Sequence, residues 1–116
     1  MAETQRVLER QDGPTVLAGH SFSGMIVTEA RARALYAVQE PFHKALLTGK
    51  TSHAAWRTKP SFYAVSTEDR TINPDLERFM AKRMGATTIE VKASHVSLIS
   101  HPQEISGLIL QAAGRA

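Results

Sequence analysis

The sequence predicts an α/β fold in which a short parallel sheet is flanked by helices. From residue 14 onward, short apolar runs alternate with amphipathic stretches in the order strand, helix, strand, helix, strand, helix. Such alternation is typical of a parallel sheet covered by helices. With 116 residues, 42% of them hydrophobic and 22% charged, the chain has the size and composition of one globular domain. We therefore expect a single domain over residues 1–116.

Three segments are predicted to be strands. Thr15–Ala18 is a short continuous apolar run, which is typical of a strand buried on both faces of a parallel sheet. Ser61–Ser66 and Thr87–Val91 are rich in β-branched and aromatic side chains, which favour strands. Functional groups in parallel sheets lie just beyond the carboxyl ends of the strands. A site is therefore expected in the loops that follow these three segments.

Helical periodicity predicts the segments between the strands. Residues 3–11 form a short amphipathic pattern, and a second helix is expected after Gly19, where apolar residues recur at four-residue steps. Residues 42–48 allow a further short helix, whereas Gly49–Lys59 has the composition of a loop.

The clearest helix signals follow the second and third strands. Asn73 and Pro74 indicate a helix start, with Asn as the N-cap and Pro at the first helical position, and Gly85 indicates its end. One face of this helix is expected to consist of Leu76, Phe79, Met80 and Met84. The last helix is expected to begin near Pro102 and to bury Ile105, Leu108, Ile109 and Ala112.

Composition excludes several classes of function. The chain has no cysteine, which rules out disulfides, thiolate metal ligands and a cysteine nucleophile. Its five histidines form no metal-binding motif, so no metal is expected. The net charge is +3, but the basic residues are scattered, so we expect no nucleic-acid partner.

No apolar run reaches the roughly 18 residues that span a bilayer, and the first residues lack a signal pattern. We expect a cytoplasmic protein without a membrane partner.

Three residues with complementary chemistry follow the three predicted strands. Ser21, Asp69 and His95 come after the first, second and third strand, so the three loops lie at one edge of a parallel sheet. A serine hydroxyl becomes nucleophilic when a base takes its proton; histidine does this near neutral pH, and a carboxylate fixes its tautomer. The order Ser, Asp, His therefore predicts a catalytic triad.

Each of these residues also has a simpler interpretation. Ser21 is equally suited to a turn or to a helix N-cap. Asp69 is suited to closing the polar turn "TEDR", and Glu68 is its rival as the acid. In the simpler interpretation, His95 is a loop histidine that is hydrogen-bonded to the backbone.

The neighbours of Ser21 favour the catalytic interpretation. A nucleophilic serine on a sharp strand-to-helix turn needs small residues two positions before and after it, and Gly19 and Ser23 occupy those positions. The backbone N–H of Phe22 would point toward an oxyanion beside Ser21. His20 is expected to be structural or to line the pocket.

These motifs resemble a known family. "VLAGHSFSG" resembles the nucleophile elbow of the α/β-hydrolase superfamily. The part of the chain that contains "TEDRTI" and "SHVSLISHP" is similar to the C-terminal part of small cofactor-independent members. These are esterase-like proteins related to plant hydroxynitrile lyases and methyl esterases. The resemblance implies that Asp69 is the acid and His95 the base, and it covers residues 13–30 and roughly 55–112.

The chain also departs from the family pattern. Ser23 stands where the elbow usually has Gly, which is a mild change. The family has several strands before the elbow, including the loop that supplies a second oxyanion donor, but only 13 residues precede Pro14 here. The family also has a further strand and a cap between the elbow helix and the acid. We therefore expect a partial α/β-hydrolase core that lacks the N-terminal strands and most of the cap.

The expected function is a serine hydrolase that acts on small carboxylic esters and needs no cofactor. A lyase that uses the same triad as an acid–base set is a related alternative. The rival class is non-catalytic, either a remnant or a binding or assembly module with an idle triad. Because a sheet without its neighbouring strands exposes edges, self-association is also expected.

Overall fold

The computed structural model describes residues 9–16, 18–20 and 55–115. Its centre is a βαβ unit made of β1 (Phe62–Ser66), α1 (Pro74–Met84) and β2 (Thr87–Val91). The two strands pair in parallel, with Phe62 opposite Thr87 and Ser66 opposite Val91. The predicted α/β fold is confirmed, and so are the second and third predicted strands.

Local sequence signals set the ends of α1. The Asn73 side chain accepts a hydrogen bond from the Asp75 N–H, with Oδ1 2.8 Å from the nitrogen, and Pro74 starts the helix. Gly85 ends it with a φ of +61°, a left-handed conformation that glycine adopts without steric cost. The predicted start and end of this helix are confirmed.

Backbone hydrogen bonds continue past the strand ends and join the two loops that follow them. The Thr67 N–H donates to the Val91 carbonyl at 2.9 Å, and the Glu68 N–H donates to the Ala93 carbonyl at 3.0 Å. The loop after β1 is therefore held against the loop after β2, and this places residues 67–69 beside the segment that leads to His95.

Three further elements complete the described part of the chain. A 3-10 turn, Ala55–Arg57, lies within the segment predicted to be a loop. A short helix, α2 (Ser97–Ser100), follows β2, and α3 (Pro102–Ala112) contacts β1. Among the residues described, no helix is long and apolar enough to cross a membrane.

The core of the βαβ unit is small. Val65 is fully buried, and Ala81, Val91 and Ala93 are nearly so. Burial of the two strand ends and of the inner face of α1 keeps the carboxyl edge of the sheet in place, since apolar surface removed from water is the main stabilising contribution.

The inner face of α1 differs from the prediction. Leu76 and Phe79 are 51% and 59% exposed, whereas Glu77 and Ala81 are buried. Met80 is half-buried, as predicted for the packed side. The helix is thus rotated so that a carboxyl group points toward the strand end. Apolar periodicity alone did not predict this because Leu76 and Phe79 define a competing stripe at helical spacing.

The predicted packing of α3 is only partly correct. Ile105, Leu108 and Ala112 are half-buried, whereas Ile109 is 41% exposed. Among the described elements α3 packs on β1 and α2, which cover only part of the predicted face.

The prediction of a strand at Thr15–Ala18 is wrong for the positions that the structure describes. Thr15, Val16 and Ala18 are irregular and exposed. A strand of this length needs neighbouring strands to satisfy its backbone groups, and the described sheet consists of β1 and β2.

The first predicted helix does not reach its expected end. Glu9 and Arg10 form a turn, and Gln11 is irregular. The helices expected after Gly19 and over residues 42–48 lie outside the described residues.

Candidate active site

The loop after β1 fixes Asp69 through its own backbone. The Asp69 N–H donates to the Ser66 carbonyl at 3.1 Å, which closes a turn at the end of the strand. Asp69 Oδ1 then accepts from the N–H groups of Thr71 and Ile72 at 2.6 and 3.0 Å. These bonds fix the orientation of the carboxyl group and leave Oδ2 for another donor.

His95 supplies that donor. Its Nδ1 lies 2.6 Å from Asp69 Oδ2, and the two side chains are only 3% and 2% exposed. The second and third residues of the predicted constellation are therefore in direct contact. The contact joins the loop after β1 to the loop after β2 at the carboxyl edge of the sheet.

Hydrogen bonds from neighbouring groups stabilise the negative charge of Asp69. Burial alone would raise the pKa of this carboxyl, but the hydrogen bonds from His95, Ile72 and Thr71 stabilise the ionised form and hold its pKa below the usual range. Asp69 is therefore an acceptor near neutral pH.

The contact with Asp69 also sets the tautomer of His95. An ionised carboxylate only accepts, so Nδ1 carries a proton, and in the neutral ring Nε2 then presents a lone pair. That Nε2 atom is buried, and no polar group of the described part of the chain lies within hydrogen-bonding distance of it. His95 Nε2 is therefore a buried acceptor without a donor among the described residues.

The residue before Ser21 lies against His95. His20 Nε2 is 2.8 Å from the His95 carbonyl oxygen, and the two rings are 5.3 Å apart at 54°. His20 donates this bond because a carbonyl can only accept. This bond ties the His20 ring to the backbone of His95.

Two of the predicted site residues are not covered by the structure. Ser21, the expected nucleophile, and Phe22, the expected oxyanion donor, lie outside the described residues. Gly19 is described, and apart from Gly19 and its two chain neighbours no described residue has a heavy atom within 4 Å of the position that a Cβ would take there.

The observed contacts can be compared with the other interpretations of Glu68, Asp69 and His95. Glu68 is exposed, and its only ion pair among the described residues is a loose contact of 3.8 Å to Lys92. Asp69 does close a turn, yet it also holds His95. The His95 ring bonds to a carboxylate rather than to the backbone.

Sequence reasoning missed Glu77. This residue is 4% exposed, and its Oε2 accepts the Ser66 N–H at 3.2 Å. Burial raises the pKa of Glu77, and the neighbouring Asp69 carboxyl raises it further, although the Ser66 N–H acts in the opposite direction. A signal was present: Glu77 lies three residues before Met80 and four before Ala81, which places a carboxyl on the packed stripe of the helix.

The described surroundings of Asp69 contain a groove but no metal site. A groove beside this residue is lined by Thr67, Glu68, Asp69, Arg70, Pro74 and Ser94. His95 does not line it, so we do not assign the groove to a substrate. Among residues 9–16, 18–20 and 55–115, no group of three or more His, Asp or Glu side chains is arranged to hold a metal ion.

Comparison with known proteins fits this geometry. The family model described as "Alpha/beta hydrolase family" matches residues 29–108, which is more than half of the chain. The chain belongs to the alpha/beta hydrolase family. Searches of curated proteins and of solved structures found no match.

The family match locates two of the three candidate residues. Asp69 and His95 lie inside the matched range of this α/β-hydrolase, whereas Ser21 lies before its start. Family membership therefore supports a hydrolase-type fold around the Asp69–His95 pair, and the nucleophile has to be argued separately.

Proposed function

We propose that the protein is a serine hydrolase that acts on small carboxylic esters. Ser21 attacks the ester carbonyl, His95 accepts the hydroxyl proton and returns it to the leaving alcohol, and Asp69 orients His95. The N–H of Phe22 stabilises the oxyanion. Water then hydrolyses the acyl-serine with His95 again acting as the base.

The observation that carries this proposal is the buried contact between Asp69 and His95. The 2.6 Å bond leaves a proton on Nδ1 and a free lone pair on Nε2. Buried polar atoms in proteins almost always have a partner, but Nε2 has none among the described residues. A serine hydroxyl is the donor that this acceptor suits.

The position of His20 supports Ser21 as that donor. Ser21 follows His20 directly in the sequence, and the His20 ring is bonded to the backbone of His95. The residue directly before the proposed nucleophile is therefore in contact with His95. The elbow-like sequence around Ser21 provides independent support.

The substrate class follows from the chemistry of the base. A neutral imidazole paired with a carboxylate activates a hydroxyl for attack on an acyl carbon. Esters are the acyl class that the resemblance to small esterase-like proteins implies. A small ester is proposed because the resemblance is to small cofactor-independent members of the family.

Hydrolysis of an activated aryl ester by three variants tests the proposal. Because triad members act as a unit, Ser21→Ala and His95→Ala should each remove nearly all turnover, and the double variant should lose little more. Folding of each variant is checked by circular dichroism. If His95→Ala folds and keeps full turnover, the proposed mechanism is wrong. If the folded parent chain shows no turnover, the protein is not an ester hydrolase.

A further inference from the structure

A second buried carboxyl group lies behind the Asp69–His95 pair. Glu77, on α1, is 4% exposed. Both Glu77 and Asp69 are hydrogen-bonded to the backbone of Ser66, and the Asp69 carboxyl raises the pKa of Glu77. One oxygen, Oε2, accepts the Ser66 N–H at 3.2 Å. The other, Oε1, is buried and has no partner among the described residues.

Two ionised carboxylates that are neighbours in a buried site repel each other. Like charges that share a site raise the pKa of one member strongly, so the pair retains a proton. Asp69 is stabilised as an anion by His95 and by two backbone N–H groups. Among the described residues, Glu77 accepts a hydrogen bond only from the Ser66 N–H. The proton therefore belongs on Glu77.

We propose that Glu77 is a positioning residue that holds this proton and donates it to the Asp69 carboxylate. Asp69 then accepts from its own loop, from His95 and from α1. Any effect of Glu77 on catalysis rests on the proposed function, since Glu77 would act on the reaction only through Asp69 and His95. It extends the Asp69–His95 pair into a chain of three titratable groups.

The other charged groups around Glu77 are consistent with this arrangement. His95 acts on Glu77 as a neighbouring positive charge when protonated, and it favours the ionised form. The charges of both carboxyls also act on Tyr63, on β1. Burial is the main reason why the pKa of Tyr63 is raised, and the charges of Glu77 and Asp69 raise it further. Tyr63 therefore remains neutral and adds no compensating charge.

The decisive test follows the titration of Glu77 itself by carboxyl-carbon NMR, with the signal assigned by its loss in Glu77→Gln. In the parent chain Glu77 should titrate above the ordinary glutamate value of about 4.3. In Asp69→Asn it should titrate lower than in the parent by about one pH unit or more, because the neighbouring negative charge is gone. An unchanged titration in Asp69→Asn would overturn the proposal, whether or not the protein hydrolyses esters.

Ester kinetics provide a second readout. Glu77→Gln keeps an acceptor for the Ser66 N–H and a donor for Asp69, so kcat/KM should stay within about threefold of the parent at neutral pH. Glu77→Met keeps the volume but loses both polar contacts, and kcat/KM should fall about ten- to a hundredfold, as expected for loss of a hydrogen bond to a charged group.

A matched control is Glu104→Gln on the exposed first turn of α3, which removes a carboxyl far from the pair. Equal loss in Glu77→Gln and Glu77→Met would contradict a role as donor. If the parent chain is inactive, the proposed function fails, but the NMR titration still decides the role of Glu77.

Discussion

Replacing Asp69 by asparagine should move a proton on His95 without disrupting the loop. Asp69 Oδ1 accepts the N–H groups of Thr71 and Ile72 at 2.6 and 3.0 Å, and Oδ2 accepts Nδ1–H of His95 at 2.6 Å. In Asp69→Asn the amide oxygen keeps the two backbone bonds, which turns the NH₂ group toward His95. Nδ1 must then accept, so the ring proton moves to Nε2.

The expected effects on stability and on catalysis differ greatly in size. The exchange replaces a hydrogen bond to a charged group by a neutral one, so the free energy of unfolding should fall by about 1 kcal/mol. A protonated Nε2 cannot take the serine proton, and the corresponding tautomer change in a known serine protease lowers kcat about 10⁴-fold. Asp69→Ala also removes the acceptor for two backbone N–H groups and should cost about 3 kcal/mol.

Three measurements on Asp69→Asn check this reasoning. Nitrogen NMR of the His95 ring identifies the protonated atom, urea unfolding gives the free energy of unfolding, and hydrolysis of an aryl ester gives the rate. A variant whose Nδ1 remains protonated, or one that hydrolyses the ester at the parent rate, would refute the mechanism.

The remaining predictions concern the acid, the buried carboxyl and the helix end. Glu68→Gln should leave ester turnover within about twofold of the parent, because Glu68 is exposed and pairs only loosely with Lys92; turnover at the level of Asp69→Asn would contradict this. The pKa of Glu77 is raised in the folded chain by burial, so parent stability should fall as pH rises from about 4.3 to the folded value, by at most about 1.4 kcal/mol per pH unit. Urea unfolding of Glu77→Gln should not show this decrease, and parallel pH profiles would count against the assignment. Gly85→Ala should lower the free energy of unfolding by about 1 kcal/mol because of its positive φ. Gly107→Ala, inside α3 with open space around it, should instead stabilise by about 0.5–1 kcal/mol; equal effects would refute the conformational argument.

Local signals predicted the parts of the fold that depend on local chemistry. The cap at Asn73, the proline after it and Gly85 define α1 because each satisfies a backbone requirement within a few residues. Asp69 and His95 could be named because both follow strands that pair in parallel. Parallel pairing brings successive carboxyl ends to one edge whatever the intervening sequence is.

The errors arose where structure depends on distant neighbours. Thr15–Ala18 has the composition of a buried strand, but composition does not supply the partner strands that would pair with it. The inner face of α1 was assigned by hydrophobicity, yet the buried position holds Glu77. A carboxyl in that position is stabilised by the Ser66 N–H and by the acidic partner that the fold brings to it, and neither is visible in the sequence of the helix.

The central claim is that Ser21 is the nucleophile that His95 activates. The most direct test is to map the site labelled by a fluorophosphonate probe, using peptide mass spectrometry. The described residues include a Ser–His contact, Ser100 Oγ to His101 Nδ1 at 2.9 Å, which is exposed. It serves as an internal control because His101 forms no ion pair with a carboxylate among the described residues. We expect the label on Ser21 and not on Ser100, no label on Ser21→Ala, and much slower labelling of His95→Gln. Equal labelling of Ser21→Ala and the parent, or equal rates for His95→Gln and the parent, would contradict the claim.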